Sequence, residues 1–216
     1  MWTSNKENLA NSEVDNSTEC KPETLSSVHE ENSLDKDEYF MELALAAAAN
    51  AYTESEIPIG CVLVKSGQVI ATAYNKREQN QNTLAHAELL AINSACKLFN
   101  SWRLDNVDCY VTLEPCHMCL SALQQARVHR IIYGAASPKT GAIESIDNFF
   151  SNNNLNHYPE IKSGILAEEA TNLLQQFFNK RRDENKFLDK SLGGRSNRVK
   201  LRTDSLSDSP EKRQKL

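Results

Sequence analysis

The stretch V-T-L-E-P-C-H-M-C, residues 111–119, limits what this chain can fold into more than any other segment. An apolar run over Val107–Leu113 predicts a short buried strand, and a helix pattern begins at once with Pro115 in its first turn. Cys116 and Cys119 lie three residues apart at that helix start, so they should share one face. Helix N-termini lower the pKa of thiols, and two thiolates on one turn are half of a tetrahedral zinc site.

The other half of such a site lies upstream, in His86-Ala87-Glu88 at the start of a second helix pattern. His86 would supply the third ligand, whereas Glu88 points to another part of the helix and is free to move protons. Three protein ligands leave one position open for water, as a catalytic zinc ion requires. A C-x-x-C pair alone could be a redox pair, and a lone histidine is more often a core or surface residue. Together the two motifs favour a catalytic zinc site.

The length of 216 residues suits one domain with tails, and the charge is unevenly spread. Residues 1–36 hold 8 acidic and 3 basic residues with few large apolar ones, which predicts a disordered acidic extension. Residues 37–187 carry the predicted domain. Residues 188–216 are predicted to be a disordered basic tail, because 12 basic residues face 6 acidic ones over residues 180–216 and Gly193-Gly194 breaks the helix pattern.

Hydrophobic periodicity predicts strands that alternate with helices in the central region. The predicted helices are Asp37–Thr53, Ala85–Phe99, Cys116–Arg127 and Glu168–Lys186, with a short helix at Ile143–Phe150, and the strands are Ile57–Lys65, Val69–Tyr74, Val107–Leu113, Val128–Tyr133 and one from Ile161. Pro58 makes the first residues of the Ile57 run a strand lead-in. This alternation predicts an α/β fold, a three-layer α/β/α domain with a mixed five-stranded sheet whose first strands form a hairpin.

Six cysteines occur without an apolar signal segment, which favours a reducing cytoplasmic location. No apolar run approaches the ~20 residues needed to cross a membrane, so no membrane partner is expected.

Further motifs surround the two halves of the zinc site. They are E-I-P-I-G at 56–60, Y-N at 74–75, Y-G-A and K-T-G-A within 133–142, N-H at 156–157 and F-F-x-x-R-R at 177–182. The pattern H-x-E followed by P-C-x-x-C is that of the zinc nucleobase deaminases, in which the Glu is the general acid/base. With the other motifs in this order, residues 38–182 resemble the bacterial-type tRNA adenosine deaminases of the cytidine/deoxycytidylate deaminase superfamily.

The resemblance implies a cytidine-deaminase-like fold, one zinc ion per chain and conversion of adenosine to inosine at the wobble position of tRNA anticodons. It assigns Asn75 to contact the flipped nucleotide, and Pro58 and Ile59 to wall the base pocket. Taken alone, Asn75 is a turn residue and the other two are core residues. It also implies a homodimer. Phe177 and Phe178 would lie near the anticodon loop, although core packing explains at least one of them equally well.

The apolar residues of the Cys116–Arg127 helix bear on the expected homodimer. Met118, Leu120 and Leu123 exceed what one small core needs, which also favours a homodimer.

Two other functions fit the same motifs. The chain could deaminate free guanine or cytosine or their nucleosides, in which case the basic tail would have no role. It could also be a catalytically idle, zinc-stabilised RNA-binding subunit, but such a protein has no need of Glu88. The basic tail itself could attract RNA by counterion release or be only a solvated extension.

Overall fold

The computed structural model describes residues 26–151 and 154–191. The helices are α1 Ser26–Thr53, α2 Ala87–Phe99, α3 His117–Gln125 and α4 Ala167–Ser191, and the strands are β1 Gly60–Lys65, β2 Gln68–Tyr74, β3 Val107–Leu113, β4 Arg130–Ala135 and β5 Glu160–Lys162. None of the helices in this part of the chain is both long and apolar enough to cross a membrane.

The five strands form one mixed sheet in the order β2-β1-β3-β4-β5. Strand β1 is antiparallel to both β2 and β3, whereas β3, β4 and β5 run parallel. Helices α1 and α4 pack on one face of the sheet, and α2 with α3 covers the other. The predicted three-layer α/β/α fold, the mixed five-stranded sheet and the hairpin of the first two strands are therefore confirmed.

The apolar strands are continuous because both faces of the sheet are covered. In β1, Cys61 and Leu63 belong to the core under α2 and α3, and Val62 and Val64 belong to the core under α1. Strand β3 has the bounds that the sequence predicts. Its neighbour β1 begins at Gly60, where a Cβ would lie only 2.0 Å from the carbonyl oxygen of Ala44 in α1. Glycine at this position therefore allows α1 to pack closely on the sheet.

Several predicted boundaries differ from the structure. Helix α1 begins at Ser26 rather than Asp37, and α4 continues to Ser191 although the tail was predicted to begin at 188. Once the packed turns have nucleated a helix, each further polar residue extends it at little cost in free energy. Such residues show no apolar periodicity, so the sequence does not reveal where the helix ends. The rest of the predicted extension, residues 1–25, and of the predicted tail, residues 192–216, lies outside the described residues, so the domain division remains a prediction.

Two further predictions, one for residues 143–150 and one for α3, were wrong. Instead of a helix over 143–150, the structure has only a 3₁₀ turn at Phe149–Ser151, because the preceding residues are held by a buried carboxylate described below. Leu120 and Leu123, counted above as surplus apolar residues, are fully buried in the core, because α3 packs both against α2 and the sheet.

Asp37 ties α1 to the face of the sheet opposite α2 and α3. Its carboxylate is 1% exposed and accepts hydrogen bonds from Tyr110 (2.8 Å), from both terminal nitrogens of Arg130 (3.1 and 2.9 Å) and from Lys162 (2.6 Å). Burial alone would raise the pKa of Asp37, but these donors outweigh it and hold the pKa below its usual value. The carboxylate therefore stabilises the packing of α1 on β3, β4 and β5.

Asp37→Asn should lower the free energy of unfolding at pH 7 by about 1–3 kcal/mol, since charged donors lose a buried acceptor. The folded-state pKa lies below the unfolded value of about 3.9, so this stabilisation is present above about pH 4 and is lost as the pH falls through the folded-state pKa. Urea unfolding between pH 3 and pH 7 should show a flatter acid-side dependence in the variant. Asp105→Asn, which breaks an exposed pair with Arg103, is the control and should leave the curve unchanged.

Candidate active site

The zinc-ligand candidates lie at the starts of α2 and α3. His86 is the N-cap of α2, Cys116 is the N-cap of α3, and Cys119 follows in the first turn of α3. Pro115 was predicted in that first turn, but it lies one residue ahead of the cap, because the chain is still extended at Cys116. The structure thus brings the three predicted ligands together from segments thirty residues apart.

The three side chains have the spacing that a tetrahedral metal site needs. Nδ1 of His86 lies 3.8 Å from Sγ of Cys116 and 3.5 Å from Sγ of Cys119, and all three ligand atoms lie within 4.8 Å of one another. Zinc bonds of about 2.3 Å to sulfur and 2.0–2.1 Å to nitrogen at tetrahedral angles require a nitrogen–sulfur separation of about 3.5 Å. The donor set and its spacing therefore fit zinc.

The two thiols differ in their tendency to ionise. A hydrogen bond from Cys119, outweighing burial and helped by His86, lowers the pKa of Cys116 to about 3. The pKa of Cys119 is raised, first because it donates that hydrogen bond and then because it is buried. The lowered pKa of Cys116 favours its thiolate, which is the form that binds metal.

Glu88 lies beside the ligands without being one of them. Its side chain is 4% exposed, and it lines a pocket of about 50 Å³ together with His86 and Cys116. Burial raises its pKa, which brings the carboxylate closer to the range in which a general base works at neutral pH. A buried acid next to a group of metal-ligand side chains can pass protons between water and a bound base.

A cleft of about 430 Å³ opens outward from this pocket. Asn75 and Ile59, both predicted pocket residues, line both the pocket and the cleft. Pro58, the third, is buried and lines neither, whereas Ile57 lines the cleft. The backbone N–H of Ile59 donates to the carbonyl oxygen of Ile57 at 2.8 Å, so the chain makes a tight three-residue turn centred on Pro58, and Ile57 and Ile59 reach the cleft whereas Pro58 does not.

Phe177 and Phe178 separate into the two roles considered for them. Phe177 is 5% exposed and packs against Tyr52, with ring centroids 6.0 Å apart. Phe178 is 47% exposed and lines the cleft wall with Leu174. Helical neighbours in sequence face different directions, so one is a core residue and the other is available to a ligand.

Glu114 organises the loop over the site, a role that its position in the sequence does not reveal. This carboxylate is 2% exposed and accepts hydrogen bonds from the backbone N–H groups of Ser137 (3.0 Å), Ile143 (3.0 Å), Glu144 (2.8 Å) and Ser145 (3.1 Å), as well as from the Ser145 hydroxyl. Burial opposes ionisation, but these donors together lower its pKa to about 2. The loop of residues 137–145, which includes the cleft residue Thr140, is therefore fixed on the strand end that precedes Cys116.

Gly141 shows how closely the loop of residues 137–145 approaches Glu114 and Cys116. It forms a bridge with Cys116, and a Cβ at this position would lie 2.1 Å from the Glu114 carboxylate. The glycine of K-T-G-A is thus required by a contact, a signal that only the three-dimensional structure reveals. Two other cleft residues, Arg77 and Leu174, belong to none of the motifs found in the sequence.

A buried acid beside a His/Cys/Cys donor set, on a three-layer α/β/α fold, defines the class of zinc-dependent nucleobase deaminases. The family model of the cytidine and deoxycytidylate deaminase zinc-binding region matches residues 34–135. The matched segment includes all three ligand candidates and Glu88.

Curated relatives narrow the class. The tRNA-specific adenosine deaminase of Bacillus subtilis is 42% identical over 157 residues, covering 73% of this chain and 98% of that protein. The tRNA-specific adenosine deaminase of Agrobacterium fabrum is 45% identical over 144 residues, covering 67% of this chain and 95% of that protein. The chain therefore belongs to the tRNA-specific adenosine deaminase family.

Solved structures agree with this assignment. One from a study of A-to-I editing by tRNA:A34 deaminases at the wobble position of transfer RNA is 44% identical, with a TM-score of 0.61 over 62% of this chain and 98% of that chain. A guanine deaminase from Nitrosomonas europaea, at 21% identity and a TM-score of 0.56 over 65% and 83%, shares the fold.

Proposed function

We propose that this protein catalyses the zinc-dependent hydrolytic deamination of adenosine to inosine at the wobble position of tRNA anticodons. The observation that carries the proposal is the buried Glu88 beside His86, Cys116 and Cys119 at the floor of a cleft, in a chain with close tRNA-specific adenosine deaminase relatives. A free acid at this position has a role in catalysis and none in holding the metal.

One zinc ion per chain would be held by Nδ1 of His86 and Sγ of Cys116 and Cys119. When bound, zinc acts as a Lewis acid that makes hydroxide available near neutral pH. Because His86 and Cys116 cap two different helices, the metal would also join α2 to α3.

Glu88 handles the protons of the reaction. Its carboxylate takes a proton from the attacking water and delivers it to the purine ring nitrogen next to C6, the carbon that is attacked. It then takes the proton of the new hydroxyl on C6 and passes it to the departing amine, so that the C6–N bond breaks, ammonia leaves and C6 becomes the carbonyl carbon of inosine. Its burial beside His86 and Cys116 keeps bulk water from exchanging these protons.

The cleft is suited to a single unstacked nucleotide with its flanking phosphates. Ile57, Ile59 and Leu113 give its wall an apolar surface, and Asn75 adds a polar group near the floor. Arg77 and Lys139 also line it and can meet phosphate oxygens. A base in an anticodon loop is less costly to extrude than one in a duplex, which favours such a loop as the substrate.

A substrate panel tests this proposal. The purified full chain, loaded with zinc, is incubated with an anticodon stem-loop that has adenosine at the wobble position, and separately with free adenosine, cytosine, cytidine and guanine. We expect inosine in the stem-loop and no turnover of the small molecules. Turnover of guanine or cytosine instead would identify a free-base deaminase, and binding of the stem-loop without any turnover would identify an idle RNA-binding subunit.

The basic C-terminal segment should add a sequence-independent attraction for RNA. Removing residues 192–216 leaves α4 complete and deletes seven basic and three acidic residues. We expect weaker binding of full-length tRNA and a shallower dependence of log affinity on log salt, with unchanged turnover of saturating stem-loop. A full-length variant with the seven basic residues replaced by glutamine should behave like the truncation. A salt slope equal to that of the intact chain would make the segment a solvated extension.

We also propose that the protein is a homodimer. Leu84 and Ile146 are 53% and 52% exposed, and they lie close in sequence to the ligand His86 and to the loop over the site. A second copy would cover such apolar side chains. Sedimentation equilibrium should give twice the 24.3 kDa mass of one chain, and a 24.3 kDa species at micromolar concentration would contradict the dimer.

The cytoplasm is the compartment that we propose for this enzyme. Cys116 and Cys119 can bind zinc only as reduced thiolates, and the described cysteines are all free. A fluorescent fusion should therefore give a diffuse cytoplasmic signal.

A further inference from the structure

Glu56 is a buried acid that none of the roles above uses. It is 1% exposed and lies just ahead of the cleft residues Ile57 and Ile59. Burying a carboxylate is costly unless its oxygens accept hydrogen bonds. Both do so here: Oε2 accepts from Nδ2 of Asn75 at 2.9 Å, and Oε1 accepts from the backbone N–H of Gln79 at 2.6 Å. Glu56 thus joins the cleft wall to the segment that leads to His86.

The hydrogen bond between Glu56 and Asn75 decides which end of the Asn75 side-chain amide faces the cleft. A carboxylate only accepts hydrogen bonds, so the NH2 end of the Asn75 side chain has to face Glu56. The reverse orientation would set two acceptors against each other. Asn75 is 5% exposed and lines both the small pocket and the cleft. Its Oδ1 has no hydrogen-bond donor among the described residues and is therefore available to a ligand.

We propose that Glu56 is a positioning residue that fixes the polarity of Asn75, so that Asn75 presents an acceptor to a hydrogen-bond donor of the flipped nucleoside. The inference rests on the proposed function and deepens it, because it states what the pocket requires of its substrate at this point. A nucleoside that offers only acceptors there would meet Oδ1 and be rejected.

Exchanging the two partners tests the polarity directly. Glu56→Gln can accept from Gln79 or from Asn75 but not from both, so kcat/KM on the anticodon stem-loop should fall about tenfold, mainly through KM. Asn75→Asp sets two carboxylates side by side and should lose at least as much. In the double variant Glu56→Gln/Asn75→Asp, the amide at position 56 can donate to the carboxylate at position 75 and still accept from the backbone N–H of Gln79. The other oxygen of the carboxylate at position 75 then presents an acceptor to the cleft. We expect the double variant to recover most of the loss.

Glu54→Gln is the matched control, because Glu54 is exposed, lies two residues away and bonds the Tyr74 hydroxyl at 2.8 Å. It should leave kcat/KM unchanged. Additive losses in the double variant would overturn the inference, because a merely structural role for Glu56 predicts them. A kcat/KM of Glu56→Gln within about twofold of that of the unsubstituted protein would also overturn the inference.

A second readout needs no substrate. In ¹⁵N-labelled protein, the side-chain NH2 protons of Asn75 should exchange slowly with water, and Glu56→Gln should make them exchange at least tenfold faster. Rapid exchange in the unsubstituted protein would overturn the inference. Absence of inosine in the stem-loop assay would refute the proposed function alone, so the two failures are distinguishable.

Discussion

Glu88→Gln should lower the rate of inosine formation well beyond the ~10²–10⁴-fold typical of one general acid/base step. The physical reason is that Glu88 acts in several steps: it removes a proton from water, delivers one to the purine ring and protonates the leaving amine. Glutamine has almost the same volume and suits the 4% exposed site, so the fold should persist. Single-turnover measurements on a stem-loop, with inosine quantified by mass spectrometry, give the rate.

Two controls separate loss of chemistry from loss of structure. Zinc content and melting temperature of Glu88→Gln should match those of the unsubstituted protein, because the ligand atoms come from His86, Cys116 and Cys119. Glu42→Gln, on an exposed position of α1, should keep full activity. Near-normal turnover by a zinc-loaded Glu88→Gln protein would exclude Glu88 as the proton carrier.

Cys119→Ser should abolish stoichiometric zinc binding and lower the stability of the whole domain. Cys119 is 0% exposed and contributes a soft sulfur ligand, and a hydroxyl at the same place is a much poorer zinc donor. Because metal binding and folding are linked, the variant should lose solubility as well as metal. Elemental analysis of the purified protein measures zinc per chain, and we expect one in the unsubstituted protein.

The matched control for this prediction is Cys96→Ser. Cys96 lies in α2, is partly exposed at the margin of the core and makes a weak hydrogen bond with the carbonyl oxygen of Trp102, at 3.8 Å. Its replacement should leave both zinc content and melting temperature unchanged. Full zinc occupancy in Cys119→Ser would show that the metal has another set of ligands.

The parts of the site that could be predicted from sequence are those in which spacing and residue chemistry coincide. Cys116 and Cys119 are three residues apart in one helical turn, and the apolar run of β3 ends directly before them. His86 and Glu88 stand in an equally short motif at the start of α2. Short-range geometry suffices to place each pair, and the tetrahedral requirement of zinc joins them.

The parts that could not be predicted depend on contacts between distant residues. Glu114 accepts hydrogen bonds from residues 23 to 31 positions further along the chain, and nothing local distinguishes it from an exposed acid. Glu56 and Asn75 are 19 positions apart, and their contact depends on how β1 and β2 pair. The beginning of α1 and the end of α4 could not be predicted for a different reason, because polar helical residues show no apolar periodicity.

The position of inosine in a full-length tRNA tests the central claim most directly. A transcript with adenosine at the wobble position is treated with zinc-loaded full chain and reverse-transcribed, so that each inosine is read as guanosine. We predict conversion at the wobble adenosine and at no other adenosine of the molecule, and none with Glu88→Gln. An unmodified transcript, or inosine at other positions with the wobble adenosine intact, would contradict the account.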